Sequence, residues 1–101
     1  MSENTEGPDR CAIYSAINVE RDRQQKLFGD RSIAGTLLLD TKLRILAEEM
    51  GEVAQAIDVV ERMRAGTLAD EGYTMDDALG HLREELIQVA ACAVGWLEAL
   101  R

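Results

Sequence analysis

The sequence predicts an all-α fold of three long helices. Three observations predict it: the sole proline is Pro8, β-branched residues sustain no strand-like alternation, and large aliphatic residues recur at helical spacing over two long stretches. The first periodic stretch covers residues 9–28 and stops at Gly29, placed to take the left-handed conformation that ends many helices. Residues 30–35 read as a connecting loop. Thr36 is positioned to cap a second helix running to about Arg64, with Gly66 just past its end. Residues 65–73 hold Gly66 and Gly72 and read as the second loop. Thr74 with Asp77 three residues later forms a capping pattern for a third helix, which starts at Met75 or Asp76 and runs to near the end. The whole of 1–101 reads as a single domain, with 1–8 as a flexible N-terminal segment.

The second and third helices carry the strongest periodicity. Leu39, Leu43, Leu46, Met50, Val53, Ile57 and Val60 alternate spacings of 4 and 3, as do Leu79, Leu82, Leu86, Val89, Ala93, Trp96 and Leu100. Each set predicts one continuous seam, the repeat of helix bundles. Leu37, Leu38, Ile45, Val59, Ile87, Val94 and Leu97 lie off these seams and need cover. A second helix of about 29 residues is about 43 Å long, so three such rods in so short a chain leave apolar flanks bare. The expectation is a four-helix-type core completed by a homodimer or homotetramer, with the second and third helices pairing.

Composition narrows the function. Nineteen acidic against eleven basic residues give a formal charge of −8. That balance disfavours a general grip on nucleic-acid backbones, which needs a basic surface, and adhesion to anionic membranes. The longest apolar run, residues 89–97, is far short of the roughly 20 residues that span a bilayer. The first ten residues lack an apolar signal-peptide core. Cys11 and Cys92 are too few for a disulfide framework. A reduced, cytoplasmic protein is the expectation. Phosphate-loop, dinucleotide, HExxH and GxSxG motifs are absent, and one histidine with two cysteines makes poor material for zinc.

Chemistry concentrates in the run LAEEMGEVAQAI. At about 100° per residue, Glu48, Glu49 and Glu52 share an arc that borders the apolar seam. Glu85 and Gln88 hold the equivalent positions on the third helix, with His81, Glu84 and Cys92 in the same broad arc. If the seams pack together, the two polar stripes face each other at the edge of the core. Carboxylates three residues apart reach a common point and repel, and a hard cation such as Mg2+ or Mn2+ relieves that repulsion with oxygen ligands. The plain alternative is a solvated helix face.

The segments LAEEMGEV and LREELIQVAA together resemble the all-α nucleotide pyrophosphohydrolases of the MazG superfamily, whose signature is EExxE, a spacer, then ExxD. Glu48, Glu49 and Glu52 meet the first half. Glu85 meets the start of the second, but Gln88 stands where the family has Asp, and the spacer of 32 residues is longer than usual. The run ERDRQQKLFG resembles the first helix of phage-type members, with Phe28 where a Trp is frequent.

The resemblance implies hydrolysis of a nucleoside triphosphate to a monophosphate and pyrophosphate, with Mg2+ (or Mn2+) held by helix carboxylates. Carried over, Glu49, Glu52 and Glu85 are metal ligands with Gln88 at the fourth position. Glu48 is the group that orients or deprotonates the attacking water, beside Glu49. Phosphate also calls for cations. Lys42, one heptad before Glu49, is a candidate, as are Arg21 and Lys26 in the one concentrated basic stretch. Phe28 is a candidate to stack on a base, and His81, one turn from Glu85, is a further site candidate. Trp96 on the seam reads as core, and Cys92 as a small buried hydrophobe. Two other readings stay open: a helical dimer that binds nucleotide or protein without turnover, which Gln88 favours, and a purely structural helical module.

Overall fold

A computed structural model describes residues 9–29, 38–67 and 72–100 of the chain. They form three helices, α1 (Arg10–Phe28), α2 (Leu39–Arg64) and α3 (Met75–Ala99), with no strand among the described residues. The ends are set by local chemistry. The Asp9 carboxylate accepts from the Ala12 amide at 2.8 Å, and Gly29 closes α1 at φ 55°. Gly66, at φ 74°, follows α2. Thr74 and Asp77 form a reciprocal capping box at the start of α3: the Thr74 hydroxyl accepts from the Asp77 amide at 3.1 Å, and the Asp77 carboxylate accepts from the Thr74 amide at 2.9 Å. The second helix departs from expectation. It begins at Leu39 behind Leu38, with no side-chain cap, so Thr36 is not its N-cap residue. Thr36, the expected loop at residues 30–35 and the flexible segment at 1–8 lie outside the described residues.

The third helix is the hub. It packs against both α2 and α1, which do not pack backbone to backbone against each other. Glu49 and Glu52 lie 15 and 12 residues before the end of α2, and Glu85 ten residues into α3, so the carboxylates meet mid-way along an antiparallel pair.

The seams are rotated from those expected. On α2 the buried line is Lys42, Val53, Ala56 and Val60, and on α3 it is Ala78, Glu85, Ala91, Cys92 and Gly95. Leu39, Leu43, Met50 and Ile57, and likewise Leu79, Leu86 and Leu100, are exposed. Small residues explain the shift: Ala56, Ala78, Ala91 and Gly95 let the helix backbones approach where bulky leucines would hold them apart. The leucines are left to the flank. Leu46, Val89, Ala93 and Trp96 are half-buried, so Trp96 only partly bears out its place in the core.

α1 is attached by polar groups. Its only buried residues are Arg21 and Gln24. Arg21 donates to Glu98 Oε1 through Nε (3.1 Å) and Nη2 (2.9 Å). Gln24 donates to the Gln88 carbonyl at 3.4 Å. No large side chain is fully buried anywhere among the described residues. The radius of gyration is 16.0 Å, against about 13 Å for a compact domain of this length. The assembly is a slab of 45 × 37 × 18 Å. No helix among the described residues is long and apolar enough to cross a membrane.

Candidate metal centre

Helix periodicity delivers Glu49 and Glu52 to the α3-facing side of α2, and the close α2–α3 approach brings Glu85 to them. One carboxylate oxygen from each of the three lies within 4.8 Å of the others. Octahedral Mg2+, with bonds of about 2.1 Å, places opposite ligand oxygens about 4.2 Å apart. Neighbouring ligand oxygens on such an ion stand about 3.0 Å apart, so the three side chains must draw closer together to bind one.

The three carboxylates differ in environment. Glu85 is 7% exposed, Glu49 is half-buried and Glu52 is exposed. Glu85 Oε1 and Glu49 Oε1 are both buried with no hydrogen-bond partner. A buried carboxylate oxygen left without a donor is costly, by about 1–3 kcal/mol or more for a charged group. Burial raises the pKa of Glu85 above the ordinary carboxylate range. A hydrogen bond with Glu52 and the charges of Glu52 and Glu49 raise it further, against a lowering from His81. Burial likewise raises Glu49, reinforced by Glu52, Glu20 and Glu48 and opposed by Arg23. Two orphaned oxygens and two raised carboxyls fit a divalent cation, whose charge would satisfy what no protein donor does.

α1 closes one side of the cluster. Arg23 clamps Glu20 with two bonds, Nε to Oε1 at 2.8 Å and Nη2 to Oε2 at 2.6 Å. Gln24 adds a third at 3.1 Å. The Arg23 bond is the main reason the Glu20 pKa is lowered, and burial works against it. Both Glu20 and Arg23 act electrostatically on Glu49. Neither Glu20 nor Arg23 is among the site residues expected from the sequence. The readable signal was the i, i+3 and i, i+4 spacing of Glu20, Arg23 and Gln24.

The remaining candidates are distributed as follows. Glu48 is exposed and outside the three-carboxylate cluster, though its charge reaches Glu49. His81 is exposed, with Nε2 3.9 Å from Glu85 Oε2. Gln88 is half-buried and its backbone carbonyl receives Gln24. Lys42 is buried on the line that includes Val53. Arg21 is occupied by Glu98 and Gln25. Lys26 and Phe28 are exposed near the end of α1. Cys92 is buried, as expected, with its thiol 3.9 Å from Gln24 Oε1 and its pKa pushed up to about 11, chiefly by burial.

The fold and site thus define a small all-α protein with an acidic triad able to coordinate a metal ion. Compared with known proteins, the chain matches no family model, no curated protein and no solved structure.

Proposed function

We propose that the chain is a Mg2+-dependent nucleoside triphosphate pyrophosphohydrolase, converting a triphosphate and water to a monophosphate and pyrophosphate. The observation that carries this reading is the Glu49, Glu52 and Glu85 cluster with its two orphaned oxygens. The cluster falls on the EExxE run and the following Glu that resemble the MazG superfamily. Glu49, Glu52 and Glu85 would hold the cation, with Gln88 beside them on the α3 stripe. A cation bound there supplies neutralisation of phosphate charge and a lowered pKa for water, with Mn2+ an alternative to Mg2+.

The protein's own groups divide the remaining work. Glu48, exposed and close enough for its charge to reach Glu49, would orient an entering water and accept its proton. Arg23 offsets the negative field at Glu49 while its guanidinium is held by Glu20. Lys26, Phe28 and His81 are accessible for substrate contact, whereas Arg21 is committed to Glu98.

A panel of nucleoside triphosphates with Mg2+ or Mn2+ tests the reading, with pyrophosphate read against orthophosphate. Pyrophosphate and a monophosphate are expected, and Glu52→Gln should remove them. A second reading rests on Gln88, whose neutral amide is a weaker ligand than the family carboxylate: a helical protein that binds nucleotide without turnover. It predicts cation-dependent nucleotide binding with neither product formed.

A further inference from the structure

We propose that Glu20 of α1 belongs to the cation site, as a fourth carboxylate that stands outside the ligand set and strengthens cation binding through its charge, with Arg23 holding that charge in check. The inference rests on the reading of Glu49, Glu52 and Glu85 as a cation site. It adds to that site the one helix that supplies none of the three.

The geometry starts from Gln24, one of the two buried residues of α1. Its Nε2 donates to Glu20 Oε2 at 3.1 Å and to the Gln88 carbonyl at 3.4 Å. Its Oε1 faces the Cys92 thiol at 3.9 Å. Gln88 and Cys92 follow Glu85 at spacings of 3 and 4 on α3, so Gln24 lies against the stripe that carries Glu85 into the cluster. Glu20 is one turn before Gln24 on the same side of α1. A single amide therefore ties the Glu20 carboxylate to α3 beside the three acidic groups.

The two charges of the α1 pair are unequally covered. The Glu20 side chain is 13% exposed and that of Arg23 is 52% exposed, so the carboxylate is the inner partner and the guanidinium the outer one. Both are felt at Glu49, where Glu20 acts more strongly than Glu48, the neighbour of Glu49 in sequence. A largely covered carboxylate beside like charges is unfavourable in the metal-free chain and contributes nothing to docking a helix. Its placement becomes favourable when a divalent ion enters. The cluster itself points to the same ion, because Glu85 is 7% exposed and its Oε1, like that of Glu49, is buried with no hydrogen-bond partner. Glu20 is not among the carboxylates whose oxygens converge, and Arg23 and Gln24 already hold both of its oxygens. It acts through its field, at a distance that Arg23 and Gln24 fix.

Titration calorimetry of Mg2+ on the full chain tests this, with the waters on bound Mn2+ counted by water-proton relaxation. Glu20→Gln should weaken Mg2+ binding about tenfold, and Arg23→Gln should tighten it. The opposite signs exclude a general loss of folding as the cause. The Mn2+ water count should be the same in Glu20→Gln as in the wild type. Glu98→Gln removes the carboxylate that Arg21 holds at the same α1–α3 contact, 13 residues beyond Glu85, and should bind Mg2+ as the wild type does. Equal weakening in Glu98→Gln would mean that only the docking of α1 matters, and would overturn the proposal. Unchanged affinity in Glu20→Gln would also overturn it, as would an added Mn2+-bound water in that variant, which would make Glu20 a ligand. Absence of cation binding by the wild type would instead overturn the reading on which the proposal rests.

Discussion

Glu52 lifts the pKa of Glu85 from across the α2–α3 seam, an exposed carboxylate acting on a buried one through a hydrogen bond and through its charge. Desolvation is the larger cause for Glu85, and Glu52 compounds it. The pair is thus unfavourable in the metal-free protein and becomes favourable only when a positive charge enters.

Removing one carboxylate should therefore help the metal-free fold and abolish its response to cations. Glu85→Gln is expected to keep or raise the metal-free melting temperature. In the wild type, Mg2+ or Mn2+ at 100 times its Kd should add about 2.7 kcal/mol by mass action, on the order of 10 °C for a domain of this size. Glu52→Gln and Glu85→Gln should each lose that increment. Thermal melts with and without cation check it, and an unchanged response in both variants would dismiss the cluster as a cation site.

The raised carboxyls set a direction for pH dependence. Folding raises the pKa of Glu49 and Glu85, so over the interval above the ordinary carboxylate range the native state holds more protons than the unfolded chain. Their contribution to stability is fully present below that interval and is lost as pH rises through the raised values. Glu20, lowered chiefly by its bond to Arg23, has the opposite sign and loses its contribution as pH falls below the ordinary range. In a chelator, the melting temperature should decline from mildly acidic pH toward neutrality. Saturating Mg2+ should flatten the decline, because ligand carboxylates bind it deprotonated. A steady rise from about pH 4 to about pH 8 without metal would contradict this.

Gln88→Asp should tighten Mg2+ binding, since a hard cation prefers a charged oxygen. A tenfold gain, about 1.4 kcal/mol, is the expected scale by titration calorimetry. Unchanged affinity would leave Gln88 with a backbone role only, its carbonyl receiving Gln24.

The two cysteines should separate by reactivity. Cys11 is exposed and Cys92 is buried with its thiol pKa pushed up to about 11. One equivalent of maleimide should react rapidly with the native protein and a second only on unfolding. Rapid labelling of both would mean that the α1–α3 packing over Cys92 opens readily.

The ends of α1 and α3 and the carboxylates were legible in the sequence because they are local, whereas α2, which starts behind Leu38 with no side-chain cap, carries no such signal at its start. Asp9, Gly29 and the Thr74–Asp77 box act within one turn, and Glu49, Glu52 and Glu85 follow from spacing once two helices pair. The orientation of the apolar faces was not legible. Leu43 or Met50 has the same periodicity whether it meets its own chain or solvent, so the heptad pattern merged the inner line through Val53 and Val60 with the outer stripe. The packing of α1 was hidden for a different reason: its inward residues are Arg21 and Gln24, which no apolar periodicity marks. For the same reason Glu20 escaped notice beside the cluster.

That polar attachment of α1 has a consequence for how the molecule opens. Directional bonds from Arg21 and Gln24 fix the helix in one register, yet they bury little apolar surface and their donors are satisfied equally well by water. Regions held in this way detach before the rest of a protein unfolds. In native-state hydrogen exchange, the amides of α1 should open at a lower free energy than those of α2 and α3. Each opening would carry Glu20 and Arg23 away from Glu49, so the electrostatic field at the cluster would be tied to the breathing of a single helix.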